Sequence, residues 1–77
     1  MTAGAIEWLE RFAEKLGVEP PTAPERDALL GLAGVAAHAS ERTAAPISCY
    51  LAARSGLALD QAVAAAKALA AEMGSEE

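Results

Sequence analysis

TAPERDALLGLAGVAAHAS, residues 22–40, decides how the rest of the chain folds. Thr22 followed three residues on by Glu25 has the spacing of a capping box, and Pro24 falls in the first turn, where a missing amide hydrogen leaves no helical bond unmade. No breaker interrupts the residues from Glu25 to Ser40, so the pattern predicts a helix over about 23–40, roughly 25 Å long at 1.5 Å per residue. At 100° per residue, Leu29, Leu32, Ala33, Ala36 and Ser40 share one face, flanked by Leu30 and Val35. The opposite face carries Asp27, Gly31, Gly34, His38 and Arg42. A glycine inside a helix costs about 1 kcal/mol relative to alanine, so Gly31 and Gly34 predict a close neighbour. The helix is therefore expected to be packed on both sides.

Working outward, Ile6, Leu9, Phe12, Ala13 and Leu16 recur at helical spacing, with Glu7, Glu10, Arg11 and Glu14 on the other side, which predicts an amphipathic helix over about 3–16. Trp8 stands at the border of its apolar stripe, as a half-buried core-edge ring, and Gly17 supplies a left-handed cap. Pro20 and Pro21 make the next segment a loop. Beyond Ser40 the chain breaks, and Pro46 fits only the first turn of a further helix, about 45–55, in which Ile47, Tyr50, Leu51 and Arg54 share a face. Gly56 stops it. A last helix, about 59–73, carries Leu59, Ala62, Val63, Ala66, Leu69, Ala70 and Met73 on a narrow apolar face, Asp60 in its first turn and alanine on its rear, followed by a flexible acidic tail at 74–77. No strand alternation or internal repeat interrupts this order. The expected architecture is all-α: a compact four-helix bundle with short loops, one domain over residues 1–77, in which the glycines of the second helix meet the alanines of the fourth.

At 77 residues a single core only just offsets the entropy of ordering the chain, and although 53% of residues are apolar, alanine supplies much of that figure, so self-association is a natural supplement. Six basic against 11 acidic residues give a net charge of −5, which disfavours nucleic acid and anionic membranes as partners. Glu7, Glu10 and Arg11 interrupt the apolar residues near the N-terminus, which leaves neither a signal-peptide core nor a membrane span there. One cysteine forms no internal disulfide, and the chain is expected in the cytoplasm.

The chemistry-bearing residues gather in VAAHASERTAAPISCY, residues 35–50. His38 and Arg42 are four apart at the end of the second helix, where the macrodipole favours a cation and Glu41 can pair with the imidazole. As a structural feature the cluster finishes one helix and launches the next at Pro46. As a functional one, His38 and Arg42 present a hydrogen-bonding cationic edge, beside Ser48 or Tyr50, at the end of a groove opened by Gly31 and Gly34. A catalytic Cys49 would need His38 as its base, 11 residues away, and a small core thiol is the simpler reading. No metal site and no cofactor is expected from one histidine and no paired carboxylates. GLAGVA is no phosphate loop, since no strand precedes it and no Gly-Lys-Ser comes after it. The Asp-Ser-Leu motif of pantetheine carriers is also missing.

Four segments together, WLERFAEKLG, DALLGLAGVAAH, RTAAPISCYL and QAVAAAKALA, resemble a little-characterised family of small all-helical domains of high-GC bacteria, found alone or fused to nucleotidyltransferases like the molybdenum cofactor guanylyltransferases. The most specific part is the order helix, H-x-x-x-R, then A-P at the next helix start: His38, Arg42, Ala45 and Pro46. The resemblance implies a non-catalytic accessory domain in molybdenum cofactor maturation or molybdoenzyme assembly. It would dock a protein partner, a cofactor nucleotidyltransferase or a molybdoenzyme, through the His38/Arg42 edge with Gly31, Gly34, Pro46 and Tyr50 around it, or pair as a homodimer. The alternative is a small-molecule binding domain holding an anion such as a pterin phosphate or an oxyanion at His38 and Arg42.

Overall fold

A computed structural model of the chain describes residues 4–75. It is all-α: four helices, α1 (Ala5–Leu16), α2 (Ala23–Ala39), α3 (Ala44–Ser55) and α4 (Leu59–Ser75), as the periodicity predicts. The helix ends are where local chemistry puts them. Thr22 Oγ1 accepts the Glu25 amide at 3.2 Å while the Glu25 carboxylate accepts the Thr22 amide at 2.7 Å, the reciprocal capping box that starts α2. Gly17 (φ 73°) and Gly56 (φ 74°) close α1 and α3 in the left-handed region that side chains with a Cβ rarely enter. At the start of α4 the Gln61 side chain accepts the Ala58 amide and the Asp60 carboxylate accepts the Gln61 amide.

Four boundaries differ from the sequence reading by one or two residues: α1 starts at Ala5 rather than 3, α3 at Ala44 rather than 45, and the ends of α2 and α4 shift. Helix α4 continues through Gly74 to Ser75, where the acidic tail expected at 74–77 would begin, because a glycine in the last turn weakens a helix without forcing an end; residues 76–77 of that expectation lie outside the described range, together with 1–3. Helix α2 stops at Ala39, and Ser40 leaves helical geometry at φ −138° and ψ −107°.

Helix α2 is the hub. It packs extensively on α3 and on α4, and α1 makes no contact with any other helix on that scale. The side chains buried between α2, α3 and α4 are Leu32, Ala52 and Ala62, with Cys49, Val63 and Ala66 packed against them. Small residues on α3 and α4 let the three axes approach closely around a single leucine. Leu29, Ala33 and Ala36 flank Leu32 on the same side of α2, half-buried, which is the face the sequence assigns to the core.

Most of the remaining large apolar residues lie outside this core. On α3 the inward side chains are Ala45, Ser48, Cys49 and Ala52, while the face of Ile47, Tyr50, Leu51 and Arg54 points to solvent. On α1, Leu9 and Ala13 turn inward, and Ile6 and Leu9 lie near Pro20, Pro21 and Arg26, whose guanidinium donates to the Pro21 carbonyl at 3.4 Å. Trp8, Phe12 and Leu16 form an open column along the helix, the first two rings stacked at 5.7 Å. Trp8 is 61% exposed rather than a half-buried core-edge ring. The glycine expectation is also corrected: a Cβ added at Gly31 or Gly34 meets nothing within 4 Å, so no neighbouring helix requires either residue. The alanine-rich helix α4 packs on the leucine side of α2, and that leaves the glycine side open.

Since Gly31 is exposed and unopposed, Gly31→Ala should raise the unfolding free energy by about 1 kcal/mol, the helix-propensity difference. Urea denaturation of the two proteins measures it; a destabilised variant would show that something approaches the helix there.

Candidate functional site

The termination of α2 at Ala39 decides what His38 can do. His38 occupies the last turn of the helix, exposed, on the side shared with Gly31 and Gly34. Arg42 lies beyond the helix end, in the tight turn where the Ala44 amide donates to the Glu41 carbonyl at 2.9 Å and the Ala45 amide to the Arg42 carbonyl at 3.1 Å. The four-residue spacing that would stack the two side chains on one helical face is therefore broken at Ser40. The turn also shows why the stretch needs no ligand to form: it carries the chain from α2 into α3, with Pro46 in the first turn of α3 as its fixed φ and missing N–H require.

What His38 meets instead is α4. Gly34, Val35, His38 and Ala39 form one wall of an open groove of about 700 Å³, and Lys67, Ala70, Met73 and Gly74 form the other. The groove lies between the C-terminal halves of α2 and α4, and each wall includes a glycine, Gly34 on one and Gly74 on the other. Its polar groups are the His38 imidazole and the Lys67 side chain, both hydrogen-bond donors to an anion. Of the residues singled out by sequence, the structure brings Gly34 and His38 together in this groove. Gly31 lies one turn further down α2 and does not line it, and Arg42, Pro46 and Tyr50 belong to the turn and to α3. The Tyr50 ring is covered by Arg54, whose guanidinium carbon sits 5.7 Å from the ring centroid, a cation–π contact on the exposed face of α3.

Lys67 is the residue that sequence reasoning misses. It is the one cation of α4, set among alanines, and only the side-by-side course of α2 and α4 brings it to the same groove as His38. No sequence signal marks that pairing.

Cys49 is half-buried against the core, and its thiol donates to the Leu29 carbonyl at 3.8 Å. Leu29 precedes His38 by nine residues of α2, about 13 Å along the axis. The thiol and the imidazole are not assembled as a nucleophile and base, which would need hydrogen-bond distance. Among the described residues no group of three or more histidine, cysteine, aspartate or glutamate side chains could hold a metal ion, and no helix is long and apolar enough to cross a membrane.

Comparison with known proteins adds a family and no activity. No curated protein and no solved structure matches the chain. One family model matches residues 2–77, nearly the whole sequence, and the chain belongs to that family, described as a domain of unknown function (DUF6457).

Proposed function

We propose that this domain is a non-catalytic interaction module that docks a protein partner, working in the cytoplasm where its single thiol stays reduced. The observation that carries the reading is how little of its large apolar surface the chain keeps for itself. Among the described residues the buried set is one leucine and three alanines, while Trp8, Phe12, Leu30, Ile47, Tyr50 and Leu51 are all roughly half or more exposed. Scattered apolar residues are normal on a surface, but stripes along whole helix faces mark places where another protein sits. An enzyme site of this size would instead gather polar groups of matched pKa in a closed cleft.

The groove at His38 supplies the specific part of the docking. In a chain of net charge −5, His38 and Lys67, which line the same groove, offer a local donor site for an acidic side chain of the partner, with Arg42 in the adjacent turn as an outlying contact. The sequence resemblance supports a molybdenum cofactor nucleotidyltransferase, or a molybdoenzyme under assembly, as that partner. Titration calorimetry of the purified domain against the nucleotidyltransferase encoded in the same genome tests it. The wild type should bind, and the double substitution His38→Ala, Lys67→Ala should weaken binding by about tenfold or more, as truncation of a central charged contact does. Arg42→Ala should have the smaller effect. Absence of binding, or affinity unchanged by the double substitution, would contradict the reading.

A second reading, a small anion held in the same groove, is favoured by one feature: His38 and Lys67, both hydrogen-bond donors, line one open groove. It predicts that a pterin phosphate or molybdate raises the melting temperature, since a ligand that binds only the folded chain stabilises it, and that Lys67→Ala abolishes the rise. A melting temperature indifferent to both anions would dispose of it.

A further inference from the structure

The accessible surface of the chain is 6143 Å². A folded monomer of its mass exposes about 4,400 Å². Its radius of gyration is 13.9 Å, where a compact chain of this length has about 11–12 Å. The surplus of more than about 1,000 Å² per chain has a location. It includes two apolar helix faces without a partner: the column of Trp8, Phe12 and Leu16 on α1 and the face of Ile47, Tyr50 and Leu51 on α3.

We propose that these two faces are buried against a second copy of this chain. The inference rests on the interaction reading above, since the same exposed residues carry both: it names a second copy as the occupant of the apolar faces and leaves the His38 groove for the other partner. Area selects the occupant. Two copies that each bury about 800 Å² of these faces reach the size of a standard stable interface, about 1,600 Å² in total. The deficit inside the chain has the same character. Leu32, Ala52 and Ala62, with Cys49, Val63 and Ala66 packed against them, make a small core for a 77-residue chain, and several large aromatic and aliphatic side chains stand outside it. A two-fold dimer uses each face twice, so Trp8, Phe12 and Tyr50 contribute six rings to one interface.

Sedimentation equilibrium of the full chain at micromolar concentration tests the proposal. The expected mass is twice the 7.8 kDa of one chain. Phe12→Glu and Tyr50→Glu should each raise the dimer dissociation constant by about tenfold or more, and Ala64→Glu, on the exposed rear of α4, should leave it unchanged. On a lone chain Phe12 and Tyr50 are 47% and 61% exposed, and a charge there would do almost nothing. A variant that unfolds outright, while the wild type has the dimer mass and Ala64→Glu keeps it, therefore also supports the proposal. A wild type that sediments as a folded 7.8 kDa monomer overturns it, as does a dimer whose mass neither Phe12→Glu nor Tyr50→Glu changes. Failure here is separate from failure of the docking reading, because a monomer that still binds the nucleotidyltransferase through His38 and Lys67 loses only its second copy.

Discussion

Leu32 packed into the small residues of α3 and α4 is the contact on which the structure depends. Ala52 and Ala62 are short enough to let both helices close on one leucine, and that closeness makes α2 the hub. The same choice limits what the core can supply. A leucine surrounded by alanines buries far less apolar area than the aromatic and aliphatic side chains the chain possesses, and buried apolar area is the main favourable term in folding. With a core of alanine, the larger groups are left for surfaces.

Helical periodicity in the sequence was sufficient to place all four helices, and capping chemistry was sufficient to start α2 at Thr22 and stop α1 and α3 at Gly17 and Gly56. The core face of α2 was legible for the same reason: Leu29, Leu32, Ala33 and Ala36 recur at helical spacing and do face α3 and α4. Periodicity failed where a helix has two candidate faces. On α3 the large residues Ile47, Tyr50 and Leu51 define an obvious stripe, yet Ala45, Cys49 and Ala52 pack inward, because the close approach to α2 admits only small side chains. Size, rather than hydrophobicity, decides which side of α3 faces the hub. The glycines of α2 misled for a related reason. Gly34 lines an open groove and Gly31 is exposed, neither meets a neighbouring backbone, and nothing in the sequence distinguishes these cases.

The candidate site was legible in half. His38 was identifiable as the single imidazole at a helix end, and Gly34 as an opening beside it. Its pairing with Arg42 assumed that the helix continues through Ser40, and the backbone leaves helical geometry at that residue. Lys67 replaces Arg42 as the neighbouring cation because α2 and α4 run side by side, a tertiary fact with no local signature. The molecule thus divides its surface by chemistry: two helix faces that are apolar and a groove that offers hydrogen-bond donors. Those are suited to different occupants, one chosen by area and one by charge.

If α1 is held by a second copy rather than by the α2 hub, its backbone amides should be protected only when copies meet. Hydrogen exchange followed by mass spectrometry, at a high and a very low protein concentration, measures this helix by helix. The account predicts that Ile6–Leu16 loses protection on dilution well before the region around Leu32. Protection of α1 equal to that of α2 at both concentrations would contradict it, since the chain would then hold its first helix without help.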